Sequence, residues 1–169
     1  EYDGSYGTNG FYQKYSATEL ANSFTDSSKD FPSATFPLSA DYLVVAGGGA
    51  GGYDLGGAGG AGGYRSFTGQ SLAKGNYAVV VGAGGTGSSS TSNRGGSGSD
   101  SSFNSVTSTG GGGGGSRSSG AGLSGGSGGG GAGVFSSSTG NGAGNTPSTS
   151  PSQGNSGGVA IANRYGGGG

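Results

Sequence analysis

The sequence predicts an all-β chain in which a β-sheet layer runs directly into a layer of packed glycine helices. Three observations carry that prediction. Gly supplies 48 of the 169 residues, yet the formal net charge is only −1 and 9% of residues are charged. Disordered chains usually combine low hydrophobicity with high net charge, and this chain is poor in apolar mass and charge together. Short β-branched or aromatic runs recur, and most of them end in a glycine tract. Part of the glycine text, G56-G-A-G-G-A-G-G63, repeats every third residue, the period of an extended helix with three residues per turn.

Residues 1–40 differ in composition from the rest. Tyr2, Tyr6, Phe11, Tyr12, Tyr15, Phe24, Phe31 and Phe36 are half of all the aromatics, and Pro32 and Pro37 lie among them. Ser16 to Asn22 reads as a short helix, with Ser16 as cap and Glu19 three residues on. The segment is expected to be an arm, or the tail of a preceding domain. Its aromatics Phe11, Tyr12, Tyr15 and Phe24 are the candidate subunit contacts.

Residues 41–169 form the expected glycine-rich domain. Asp41 to Ala46 is β-rich and stops at G47-G-G-A-G-G52. Tyr64 to Thr68 alternates as a strand does. Gln70 to Asn76 reads as a loop, with Gly75 able to take positive φ. Tyr77 to Val81 is the next strand, with Tyr77, Val79 and Val81 on one face. Ser101 to Thr109 is a fourth, and Val134–Phe135 and Val159–Ile161 are shorter candidates.

Between the strands lie glycine tracts at 47–52, 56–63, 82–87, 110–115, 120–133 and 166–169. A lone glycine helix has no internal hydrogen bonds to hold it in water. Several side by side pair N–H with C=O, and only glycine lets backbones approach that closely. The competing reading is flexible linker. The regular alternation of tracts with strands favours order.

Composition removes most chemistry. There is no Cys and no His, so disulfides, thiolates, the commonest general base and the commonest metal ligand are all missing. No serine has an evident activating partner, and Asp26 and Asp30 read as solvated carboxylates. No catalytic, cofactor or metal residue is therefore expected. No apolar run approaches the 18 residues that a membrane-spanning helix needs, and no secretory signal is visible. The chain begins at Glu1 and contains no Met, so it is expected to be a processed product or a fragment.

Three motifs invite sharper readings. Gly82, Gly84 and Gly87 follow a strand with the spacing of a dinucleotide fingerprint. That site needs a helix N-terminus beneath the phosphates, and residues 88–100 have no apolar residue and no helical period. G95-G-S-G-S-D-S-S-F103 is close to a calcium-binding nonapeptide, but Ser102 stands where a large aliphatic residue belongs and the motif occurs once. Arg94-Gly-Gly is a single RGG, and scattered basic residues do not supply the charge that nucleic-acid binding uses. Tyr53 and Asp54 interrupt one glycine tract and Arg117 follows another. With Arg94 they are the candidate receptor or partner contacts, against the plainer reading that they anchor loops.

The order of blocks adds a resemblance. D41-Y-L-V-V-A-G-G-G-A-G-G, G59-G-A-G-G-Y-R-S-F, Y77-A-V-V-V-G-A-G-G-T-G, S102-F-N-S-V-T-S-T-G-G-G-G-G-G and G140-N-G-A-G-N-T-P-S-T-S-P-S-Q-G-N-S-G-G resemble, in that order, the glycine-rich domain of bacteriophage tail-fibre and other virion proteins, the marine phage versions especially. Y6-G-T-N-G-F-Y12 is similar to a segment of a lectin-like sandwich in the same proteins, here only a stub. The resemblance implies a small antiparallel β-sandwich continued by packed polyglycine-II helices, with an extended N-terminal arm. It implies a non-enzymatic virion component, a tail fibre or adhesin, outside the cell. Its partners would be other copies in a trimer or filament, other virion proteins and a host surface molecule, with no nucleic acid and no membrane insertion. A self-assembling filament or capsid-decoration subunit joined by arm exchange is the alternative, and a glycine-rich antifreeze protein a third.

Overall fold

The computed structural model describes residues 37–133, 139–161 and 166–169. The chain divides into two compact units, Glu1–Ser39 with Ser71–Lys74 and Ala40–Gln70 with Gly75–Gly169. The second unit holds the glycine tracts.

The described residues are all-β, with no helix among them. The described residues form five strands: β1 Leu38–Val45, β2 Tyr64–Leu72, β3 Val79–Val80, β4 Ser101–Phe103 and β5 Val106–Ser108. β1 pairs with β2, and β3-β4-β5 form a separate three-stranded sheet. That sheet is antiparallel, with Val79 opposite Phe103, and Ser101 opposite Ser108 across the β4–β5 hairpin. Alternation along β1 sends Val44 inward to burial while Leu43 and Val45 stay exposed. Rings join the two sheets: Tyr42 stacks on Phe67 at 5.1 Å and meets Phe103 edge-on at 4.9 Å, and Tyr77 lies 5.7 Å from Phe103. The Arg65 guanidinium sits 5.2 Å over Phe67.

The tracts are held by backbone hydrogen bonds that repeat every third residue. Ala46, Gly49 and Gly52 donate to the carbonyls of Gly63, Gly60 and Gly57. Gly57, Gly60 and Gly63 in turn donate to Gly115, Gly112 and Thr109. From Gly126 to Gly133 every N–H is used, in rotation, at 2.7–3.1 Å. Gly126, Gly129 and Ala132 reach Gly110, Leu123 and Gly120. Ser127, Gly130 and Gly133 reach Ala61, Ala58 and Leu55. Gly128 and Gly131 reach Asn155 and Gly158. Buried backbone groups must be paired, and here each tract meets that demand by touching several neighbours at once.

The interior is consequently backbone rather than side chain. Residues 110–116 are buried without a break. A Cβ on Gly112, Gly114 or Gly129 would lie within 3 Å of a neighbouring carbonyl. Among the described residues the buried hydrophobics are Val44, Ala46, Ala132 and Ala160, and the largest fully buried side chains are Gln153, Ser108 and Ser116. The G-G-A repeat maps onto burial: Gly57, Gly60 and Gly63 are buried, whereas Ala58 and Ala61 face out.

Several element readings need correction. β1 begins three residues before Asp41. β2 continues to Leu72, so Gln70–Leu72 belong to a strand and not to a loop. Positive φ falls on Gly69 rather than Gly75. Of Tyr77–Val81 only Val79–Val80 pair, and Val79 and Val81 are exposed while Tyr77 turns to Phe103. Residues 101–109 are a hairpin, not one strand, because Asn104 and Ser105 take φ of 46° and 64°. Two successive left-handed residues make a tight hairpin turn. Val159–Ile161 is not a strand and both end residues are exposed. The readings on Ser16–Asn22 and Val134–Phe135 lie outside the described residues.

Candidate functional site

Connectivity sorts strands and loops to opposite ends of the tracts. β1 runs into tract 46–52, turns at 53–55 and returns through 56–63 to β2. β3 runs into 82–88, turns at 89–94 and returns through 95–99 to β4. β5 runs into 109–116 and turns at 117–120. Three tracts leave β1, β3 and β5 in this way, and the three loops that follow them gather at the far end.

Four loop residues singled out in the sequence are brought together there. Arg117 Nη1 donates to Asp54 Oδ2 at 2.8 Å. The Arg117 N–H donates to the Tyr53 carbonyl at 3.2 Å, and the Tyr53 N–H to Ser116 Oγ at 2.6 Å. Arg94 crosses from its own loop and donates through Nε to the Ala121 carbonyl at 2.6 Å and through Nη2 to the Ser119 carbonyl at 3.2 Å. The Ser118 N–H donates to Thr91 at 2.9 Å. Asp54 and Leu55 take φ of 49° and 54°, a strained conformation for side chains with a Cβ. The loop tips are thus tied to one another, and the rings and chains of Tyr53 and Leu55 remain exposed.

A family model for the glycine-rich domain matches residues 25–169. The chain belongs to the glycine-rich domain family. No curated protein and no solved structure matches it.

In this glycine-rich domain the other sequence motifs have structural duties. The Gly82–Gly87 stretch leads into a turn, and Gly85 donates to Gly48. Asp100, from the nonapeptide-like motif, accepts the Gly110 N–H at 2.8 Å through Oδ1. Among the described residues no group of three His, Cys, Asp or Glu is placed to hold a metal, and no helix is long and apolar enough to cross a membrane. An open groove of about 390 Å³ beside Tyr77, Asn104 and Ser105 lies at the strand end, away from the loop cluster. The candidate arm contacts Phe11, Tyr12, Tyr15 and Phe24 lie outside the described residues.

Sequence reasoning missed Gln153. It is 2% exposed. Its Oε1 accepts the Thr109 N–H at 2.8 Å, its Nε2 donates to the Pro147 carbonyl at 2.9 Å, and its own carbonyl accepts the Tyr64 N–H at 2.8 Å. It locks the tracts where they leave the strands. Its position in a Ser/Pro/Asn-rich stretch gave no signal, since such stretches read as exposed turns.

Proposed function

We propose that the chain is a non-enzymatic structural protein of a phage virion, a tail-fibre or receptor-binding component that presents loops to a host surface. The observation that carries this is the gathering of three loops at one end of a backbone-bonded tract bundle. A scaffold whose interior is backbone tolerates change at loop tips, because the buried tracts are held mainly by their own backbone hydrogen bonds. Tyr53 with Asp54, Arg94 and Arg117 would form the contact patch, with the exposed Tyr53 ring as its apolar element.

The tracts are read in this proposal as packed polyglycine-II helices. The three-residue rotation of donors, the matching burial of Gly57, Gly60 and Gly63, and the G-G-A repeat support that reading. The ring contacts between sheets support a small β-sandwich at the base. A filament or capsid-decoration subunit is the second reading, favoured by the exposure of Val79, Val80 and Val81.

Immunogold electron microscopy on the source material tests the assignment. Label on tail or capsid appendages is the expected result. Label on filaments without phage particles replaces it with the second reading.

A further inference from the structure

We propose that the place held by residues 166–169 is a peptide-recognition slot, that its ligand is an extended glycine segment of pattern Gly-Gly-Xaa-Gly, and that the chain's own tract is its resident occupant. Three backbone hydrogen bonds join that tract to its surroundings among the described residues. The Ala58 N–H donates to the Gly167 carbonyl at 3.0 Å, the Gly158 N–H donates to the Gly168 carbonyl at 2.7 Å, and the Gly167 N–H donates to the Gly131 carbonyl at 2.7 Å. The slot thus offers two donors and one acceptor, all from main chain. Strand addition to a sheet edge works the same way, with backbone bonds giving affinity and the space for side chains giving selectivity.

The selectivity can be read residue by residue. A Cβ on Gly166 would meet the Gly56 carbonyl, one on Gly167 the Gly158 carbonyl, and one on Gly169 the Gly59 carbonyl. These are backbone atoms and cannot swing aside. Gly168 has nothing within 4 Å of such a Cβ, so the third position is open to other residues. The lining is as bare as the occupant, since a Cβ on Gly130 would meet the Gly167 carbonyl.

The slot does not need its occupant in order to exist. The lining tracts bond to each other directly: the Gly130 N–H donates to Ala58 at 2.9 Å and the Gly131 N–H to Gly158 at 3.0 Å. Those bonds survive when 166–169 leaves. The interior tract 126–133, by contrast, uses every N–H. In the resident tract Gly167 is buried while Gly168 and Gly169 are exposed. A short segment held by so few bonds binds weakly in trans, and it holds its place in cis through high effective concentration. A glycine segment of another chain therefore enters when the resident tract is out. This site does not depend on whether the chain belongs to a virion.

The test uses the full chain with its own tract kept out of the slot by Gly167→Val. Nuclear magnetic resonance follows the Ala58 and Gly158 amides as the peptide Tyr-Gly-Gly-Gly-Gly is added. Both amides are expected to shift in the variant and to stay put in wild type, whose slot is filled. Tyr-Gly-Gly-Ala-Gly should bind the variant as well as the all-glycine peptide, and Tyr-Gly-Ala-Gly-Gly about tenfold more weakly or worse, because its methyl group meets fixed backbone. No shift in the variant, equal shifts in variant and wild type, or equal affinity of the two alanine peptides overturns the proposal. Should Gly167→Val fail to fold, Gly169→Val at the exposed end of the tract carries the same comparison and decides it.

Discussion

The side chain of Gln153 satisfies the backbone amide of Thr109, 44 residues away, at 2.8 Å. Thr109 is where β5 gives way to the buried tract 110–116, and that amide has no strand partner there. Gln153 also donates to the Pro147 carbonyl. Replacing Gln153 by Ala leaves a donor and an acceptor unpaired at a site where the side chain is buried. Each such loss costs about 1–3 kcal/mol, so Gln153→Ala is expected to lower stability by roughly 2–5 kcal/mol. Gln153→Glu keeps the acceptor for Thr109 but loses the donor to Pro147 and buries a charge, and should rescue little. Denaturant titration and hydrogen exchange at the Thr109 amide check both variants.

Glycine identity is expected to matter by position rather than by tract. A Cβ on Gly112 would collide with the Leu123 carbonyl, and one on Gly129 with the Gly113 carbonyl. These are backbone atoms that cannot swing aside. Gly112→Ala and Gly129→Ala should each cost about 3 kcal/mol or more, at or beyond the upper end of ordinary overpacking. Gly87 has nothing within 4 Å of such a Cβ, and Gly84 only an ordinary contact. Gly87→Ala and Gly84→Ala should be neutral or stabilise by about 0.4–1 kcal/mol through the unfolded chain. Equal melting temperatures for all four variants would mean the tracts act as linkers.

How much of this was legible in the sequence depends on what each residue type reports. The strand-to-tract alternation was visible because β-branched runs and glycine tracts differ sharply in composition, and G56-to-G63 showed its period outright. The hairpin at Asn104–Ser105 was not, because Ser gives no warning of a left-handed φ and the usual second residue there is Gly. Val159–Ile161 has strand composition but no strand partner, so propensity without pairing misled. The loop cluster was half legible. Tyr53, Asp54, Arg94 and Arg117 stood out against bare glycine, but their union needed the fold. Arg94 and Arg117 both spend hydrogen bonds on neighbouring loops, so the plainer anchoring reading describes them as well as the contact reading does. Gln153 was invisible because its role comes from two distant backbone groups.

Phe103 is expected to be the ring on which the two sheets depend most. It touches Tyr42 of one sheet and Tyr77 beside the other, at 4.9 Å and 5.7 Å. Phe103→Ala removes both contacts, while Tyr42→Phe keeps the ring. Phe103 is only half-buried, so its loss should cost roughly 2–3 kcal/mol, below the usual range for a core Phe. Tyr42→Phe should shift stability by less than about 1 kcal/mol. Near-ultraviolet circular dichroism during thermal melting separates the two, and a Phe103→Ala chain as stable as wild type would remove the rings from the account of how the sheets are joined.

Loop residues should separate stability from binding. The Asp54–Arg117 pair is more than a third exposed on both sides, and such pairs contribute about 0–1 kcal/mol. Asp54→Ala and Tyr53→Ala should therefore melt within about 1 kcal/mol of wild type. Arg94→Ala loses two bonds that tie its loop to Ser119 and Ala121, and should loosen that loop without unfolding the tracts. If the loop cluster meets a host surface, Tyr53→Ala and Asp54→Ala weaken adsorption of the purified chain to host cells while the melting curve stays put. Adsorption unchanged in both variants, with wild type adsorbing well, would move the contact surface away from this end of the domain. A fall in adsorption that tracks a fall in melting temperature would assign these residues to loop anchoring alone.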